Sequence, residues 1–206
     1  MINIEKEKLG LQDYFYIGYL YLIILGIVSD AIFYGIFGVS YLNYTTILDA
    51  LISPISLLAN NWIIALFLGL MFWVMYLYFT KWMFQLYAYL REKKWYQKIY
   101  NIEKWDKKYE LMKKKNNLVV GMMFIFFLLF TSARTGMALG TKSKLTNEEI
   151  KPNYTLVFKD DSRLDVRKIG QNSAYFFYFI PGEQVITATP IGDNIKQIKV
   201  LKKQSK

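Results

Sequence analysis

Over the first two thirds of the chain, hydrophobic positions come in blocks. Tyr14 to Val39 is apolar apart from Asp30. Trp62 to Thr80 is nineteen residues without a charge, and Leu118 to Leu139 opens with sixteen more before it meets Arg134. At about 1.5 Å of rise per residue, each block can cross a hydrocarbon core of roughly 30 Å as a helix. The expected spans are therefore about 14–39, 62–80 and 118–139. Tyr14, Phe15, Tyr16 and Tyr19 open the first one and suit a membrane–water boundary, where amphipathic rings settle.

Two stretches between the blocks have a different pattern. In Tyr41 to Asn61, the residues Ile47, Leu48, Leu51, Ile52, Ile55 and Leu58 fall on one helical face. Thr46 and Asp49 have the spacing of a capping box, and Pro54 is expected to bend or end the helix. This predicts a broken amphipathic helix, lying in the interface or re-entrant. Residues 81–117 carry eleven basic and four acidic side chains, so the positive-inside rule assigns this loop to the cytoplasm. Trp95, Ile99, Ile102, Trp105, Tyr109 and Met112 recur in it every three or four positions. That spacing predicts an amphipathic helix, with Trp95, Trp105, Lys113, Lys114 and Lys115 meeting anionic headgroups. The third span then leads outward, which puts residues 141–206 on the opposite side of the membrane from the loop.

After a polar linker at 141–153 the hydrophobic period changes to two. The runs YTLVFK, RLDVRKI, SAYFFYFI, VITATPI and IKQIKVLKK are separated by Asp160-Asp161-Ser162, Gly170-Gln171-Asn172, Pro181 to Gln184 and Gly192-Asp193-Asn194. Turn residues at that spacing predict five short strands. So many strands in so few residues suggest a small barrel over 154–206, since closure removes exposed edges. Over Tyr154 to Leu201 this pattern resembles an SH3-like or Sm-like barrel, a resemblance that implies a fold and no ligand. Of the Tyr175 to Phe179 run, alternate members fill the barrel, and Tyr175, Phe177 and Phe179 are a candidate binding face, against the competing reading of plain packing or docking on the membrane domain. The expected class is thus α+β: a transmembrane helical domain at 1–140 followed by a small β domain.

Composition narrows the chemistry. The chain has 206 residues, a formal charge of +10, no Cys and no His. That removes disulfides, thiolate and imidazole catalysis and Cys/His zinc sites. No phosphate-binding glycine loop, serine nucleophile elbow or metalloprotease helix occurs. No cofactor, metal or nucleic acid is expected, because basic charge beside apolar spans reads as topology and lipid contact.

Asp30 and Arg134 form the sharpest constellation. An ionisable group in a span is costly and normally pairs or lines water. Counted along two helices of the same direction, both reach a similar depth in the outer half of the bilayer, so they are expected to pair. The competing reading has Arg134 snorkelling to the headgroups. Ala31 with Gly35, and Ser132, Gly136 and Gly140, recur every four residues and suit close helix packing. Two functions fit these features. The first is a non-enzymatic accessory or assembly subunit of a membrane complex, as a homo-oligomer or with a membrane partner. The second is an oligomeric channel gated through the C-terminal domain.

Overall fold

The computed structural model describes residues 10–113, 115–146, 151–183 and 185–201. Among them, three helices are long and apolar enough to cross a membrane: Leu11–Gly35, Trp62–Arg91 and Leu118–Leu145. A five-stranded antiparallel sheet follows. The chain divides into two compact units, one of Met1–Leu57 with Thr131–Lys206 and the other of Leu58–Phe130.

In the first unit, helix α1 (Leu11–Gly35) ends in a turn closed by Gly38, whose φ of 79° only glycine adopts freely. The Gly38 amide bonds the Gly35 carbonyl and the Val39 amide bonds that of Tyr34, which satisfies carbonyls the helix leaves open. A short 3-10 turn (Tyr41–Tyr44) leads to α2 (Ile47–Asn60). The Thr46 amide and hydroxyl both donate to Asp49, and the Asp49 amide donates back to the Thr46 hydroxyl, so the capping box is formed.

Pro54 does not break α2, contrary to the sequence expectation. Having no N–H, Pro54 leaves the Ala50 carbonyl without its usual partner in the helix. That carbonyl points at Gly26 of α1, so closely that a Cβ on Gly26 would collide with it. The contact is of the Cα–H to carbonyl kind, which offsets part of the lost bond. A glycine on one helix thus accommodates a proline on its neighbour, and Gly26 and Ala50 are both buried.

The sheet comprises β1 (Tyr154–Phe158), β2 (Arg163–Gln171), β3 (Tyr175–Phe179), β4 (Ile186–Pro190) and β5 (Ile195–Val200), in the order β4-β3-β2-β1-β5. Four of the strands fall within the runs expected from the period-two pattern, and β2 runs past its expected end at Ile169 through Gly170 and Gln171, two residues of the expected turn, which pair with Phe177 and Phe176. A four-residue helical turn, Ile191–Asn194, carries the chain from β4 to β5 on the opposite edge. No ladder joins β4 to β5, so the sheet is open and the expected closed barrel is corrected. Two features account for this. Pro190 ends β4 and supplies no amide for further pairing. The aromatic face that closure would leave outside is instead covered by helix.

Each face of the sheet has its own cluster, as period two requires. Leu156, Val166, Phe176, Tyr178 and Ile195 pack together on one side. Phe177 and Ile186, on the other, pack with Phe33, Tyr34 and Tyr41 from the α1 end and with Ala138 of α7 (Lys115–Thr146). Because α7 runs to Thr146, the first part of the expected 141–153 linker is helix.

In the second unit, α3 (Trp62–Leu77) passes through a π-helical turn (Tyr78–Trp82) into α4 (Met83–Arg91). The span therefore does not stop at Lys81. The loop beyond is two helices, α5 (Lys94–Ile99) and α6 (Ile102–Lys113). The expected single amphipathic helix is broken at Tyr100-Asn101, where the Asn101 side chain accepts the Lys104 amide as an N-cap. α6 packs on α4: the Tyr87 hydroxyl donates to Asp106 at 2.8 Å, Arg91 pairs with Asp106 at 2.9 Å, and Tyr109 meets Phe84 edge-on and leans on Tyr87.

Gly26→Val is expected to destabilise the protein by about 1–3 kcal/mol, as overpacking does. Gly69→Ala, where an added Cβ meets nothing, should be neutral or slightly stabilising. Thermal unfolding in detergent, followed by loss of the monodisperse size-exclusion peak, checks both.

Candidate functional site

An ion pair holds α1 to α7, and an aromatic junction holds the sheet to their ends. Arg134 Nη2 lies 2.6 Å from Asp30 Oδ1, and both side chains are withdrawn from solvent at 12% and 2% exposure. The geometry is an ion pair between two apolar helices, and Arg134 does not extend away from Asp30 toward the helix end. The Phe33 ring stands 4.0 Å below the guanidinium, giving the cation a second, quadrupolar partner. Isolated burial of either charge would cost several kcal/mol, so each residue's place depends on the other.

One turn further along α1 the junction begins. Tyr34 and Tyr41 stack with ring centres 4.5 Å apart, and Phe177 of β3 leans on both at 4.7 and 5.8 Å. Tyr44 meets Tyr175 edge-on at 5.1 Å. Burial, with the Asp30 charge adding to it, pushes the Tyr41 hydroxyl up to about 12, so it is neutral at physiological pH. The Tyr34 hydroxyl reaches the backbone of β2 at Gly170, where a Cβ would strike it. Gly170 sits at the β2 bulge beside Lys168, and the bulge, the glycine and the tyrosine therefore fit as one set.

A polar latch lies beside the rings. Asp49, already the cap of α2, accepts the Ser173 amide at 2.9 Å and the Ser173 hydroxyl at 3.0 Å. Asn172 Nδ2 donates to the Tyr44 carbonyl at 2.7 Å, while its Oδ1 accepts the Ala174 and Tyr175 amides. Burial raises the Asp49 carboxyl, but the bonds from Thr46 and Ser173 outweigh it and hold the group below the usual carboxylate value. On the other face of the sheet, burial lowers Lys168, whose ammonium stands 5.5 and 5.4 Å from the Tyr154 and Phe176 rings.

The sequence candidates are distributed as follows. Asp30 and Arg134 are brought together. Phe177 and Phe179 are buried and Tyr175 partly so, and Phe177 and Tyr175 pack against the α1 end, which is the docked alternative for this set and not the candidate binding face. Gly35, Ser132, Gly136 and Gly140 are exposed, Ala31 is half-buried, and a Cβ on any of the three glycines would meet nothing. Close packing within the chain comes instead from Gly26 and Gly170, which no regular spacing marks. Trp95 is exposed, and Trp105 is half-buried with Lys108 4.9 Å from its ring. Lys113 and Lys115 flank Lys114, which lies outside the described residues. Among the described residues no three acidic side chains gather as a metal ion would need. Comparison of the chain with protein-family models, with curated proteins and with solved structures found no match.

Two outcomes follow from this geometry. Asp30→Asn and Arg134→Leu should each cost about 3–5 kcal/mol, and the double variant should cost well under their sum; a double-mutant cycle on thermal stability reads the coupling. For Asp49, whose folded-state value is depressed, the stabilisation is fully present above the unfolded value of 3.8 and is lost as pH falls below it. Exchange at the Ser173 amide, taken relative to the unstructured rate at the same pH, should therefore quicken as pH falls below 3.8 in the parent. In Asp49→Asn it should already be faster at pH 7 and gain no such acid step.

Proposed function

We propose that the chain is a non-enzymatic multi-pass membrane protein that serves as an accessory or assembly subunit of a membrane complex. The observation that carries this reading is the use made of its polar groups. The conspicuous ones in the first unit are engaged within the chain: Asp30 and Arg134 join α1 to α7, and Asp49, Asn172 and Ser173 join the sheet to the segment from Tyr44 to the start of α2. None is held as a nucleophile beside a base, and the sheet forms a platform docked at the ends of α1 and α7. Such a platform suits presentation of a surface to a partner.

In this reading residues 81–117 are cytoplasmic, with their lysines and Trp95 toward anionic headgroups, and the sheet lies on the opposite side of the membrane. α2 is a dipping segment: its fourteen residues reach only about 21 Å, and Ala50 rests on the flank of α1. The exposed stripe of Ser132, Gly136 and Gly140 is open to another helix, from a second copy or a membrane partner. The channel reading has less support, because the intramembrane charges pair with each other and with Phe33.

Single cysteines at Ser162 and Gln97, both exposed and in a Cys-free background, provide the first test. In intact cells an impermeant maleimide should label position 162 and spare 97. Affinity purification should then recover a stoichiometric membrane partner or a homo-oligomer, with no ion flux from reconstituted vesicles. Conductance with no partner would sink the accessory reading.

A further inference from the structure

We infer that the free edge of β4 is the surface through which two copies of the chain join, strand to strand. The phase of the ladder identifies the groups this edge presents. The Ile191 amide donates to the Ala174 carbonyl at 2.8 Å, one residue outside the pair of Pro190 with Tyr175. Pro190 and Tyr175 are therefore a pair without mutual bonds, and in an antiparallel ladder such pairs alternate with bonded ones. Ala188, opposite Phe177, and Ile186, opposite Phe179, are the next two of that kind. Their amides and carbonyls point away from β3, and among the described residues no other group bonds them. Pro190 follows in the same phase and offers only a carbonyl.

Charge and register select a second copy as the occupant. No charged residue stands between Val185 and Gly192, so two β4 edges meet without like charges facing. Two β5 edges would instead bring Lys196 and Lys199 of each copy together. An antiparallel copy also matches β4 group for group. With the two-fold axis at Thr187, Ile186 and the partner's Ala188 exchange two bonds, and Ala188 and the partner's Ile186 exchange two more. No outward amide or carbonyl of either residue is left over. Moving the axis to Ala188 would set the partner's Pro190 against Ile186 and leave the Ile186 carbonyl without a donor, so the proline fixes the register. In the Thr187 register each Ile186 side chain stands beside a small one, the partner's Ala188, and the two Thr187 side chains meet at the axis, a pairing that suits adjacent strands. The two five-stranded sheets become one continuous sheet. This deepens the homo-oligomer arm of the reading above and rests on it.

Cross-linking of the full chain in its membranes tests this. Thr187→Cys, in the Cys-free background, should form a disulfide-linked dimer under mild oxidation, because residues facing across an unbonded pair bring their Cα atoms to about 4.5 Å. Lys199→Cys on β5 should give no linked dimer. In detergent, light scattering should find the parent a dimer. Ala188→Pro removes one outward amide from each copy and leaves the β3 ladder intact, so it should weaken the dimer by at least about tenfold, two of the four bonds being lost. Thr187→Lys, which sets two cations across the axis, should weaken it likewise. A thermal midpoint near the parent's shows that each variant folds. Linkage at 199 and not at 187 would overturn the edge, and so would dimers that persist in both variants. A monomeric parent that co-purifies with a stoichiometric membrane partner would overturn this pairing and leave the accessory reading standing. Conductance with no partner would remove that reading, whichever position links.

Discussion

A charge buried between two apolar helices has few ways to be stable, and the Asp30–Arg134 pair is the constraint around which the first unit is arranged. Its 2.6 Å contact fixes α1 against α7 in register, because sliding either helix by one turn would separate the two charges by more than 5 Å and leave both unpaired. Phe33 under the guanidinium ties the same register to the face of α1 from which Tyr34 projects. The aromatic junction therefore begins at a height the ion pair sets.

The sheet is fitted to that height by different means. A helix end and a β-sheet have no natural periodicity in common, and the seam is filled with rings, which bury large area at few rotatable bonds. Tyr34, Tyr41, Tyr44, Tyr175 and Phe177 form a continuous set of contacts from α1 to β3. The rings set distance but not orientation. Directional bonds from Asn172 and Ser173 to the Tyr44 carbonyl and Asp49 supply that, and they reuse the carboxylate that caps α2. Helix start and sheet position are thus linked through one side chain.

The open sheet follows from this docking. A small sheet with apolar residues on both faces needs a second cover. Closing on itself covers one face, and a neighbouring helical surface covers the other. Here the Phe176 face has its own cluster and the Phe177 face lies on helix. The two edges differ in their protection: β5 carries Lys196 and Lys199, which discourage pairing with another strand, whereas β4 is uncharged and ends at Pro190.

Block hydropathy alone determined three long apolar helices, a polar-to-apolar period change near residue 154 and five short strands, because these depend on local composition and on where turn residues interrupt it. The capping box of Thr46 and Asp49 was legible for the same reason, being closed within four residues. The outstanding cost of a charge in an apolar run also made Asp30 and Arg134 legible, and counting residues brought them to one depth. Tertiary structure decided what lies between elements. Gly26 matters because of a carbonyl freed by Pro54 on another helix, and Gly170 because of the Tyr34 hydroxyl, and neither neighbour is near in sequence. At the evenly spaced Gly136 and Gly140 a Cβ would meet nothing among the described residues, since spacing marks a face without saying what meets it. Whether the sheet would close, and whether Phe177 would be a surface or a seam, depended on a helical partner. A period of two states that a strand has two faces, and only the packed structure states what covers each.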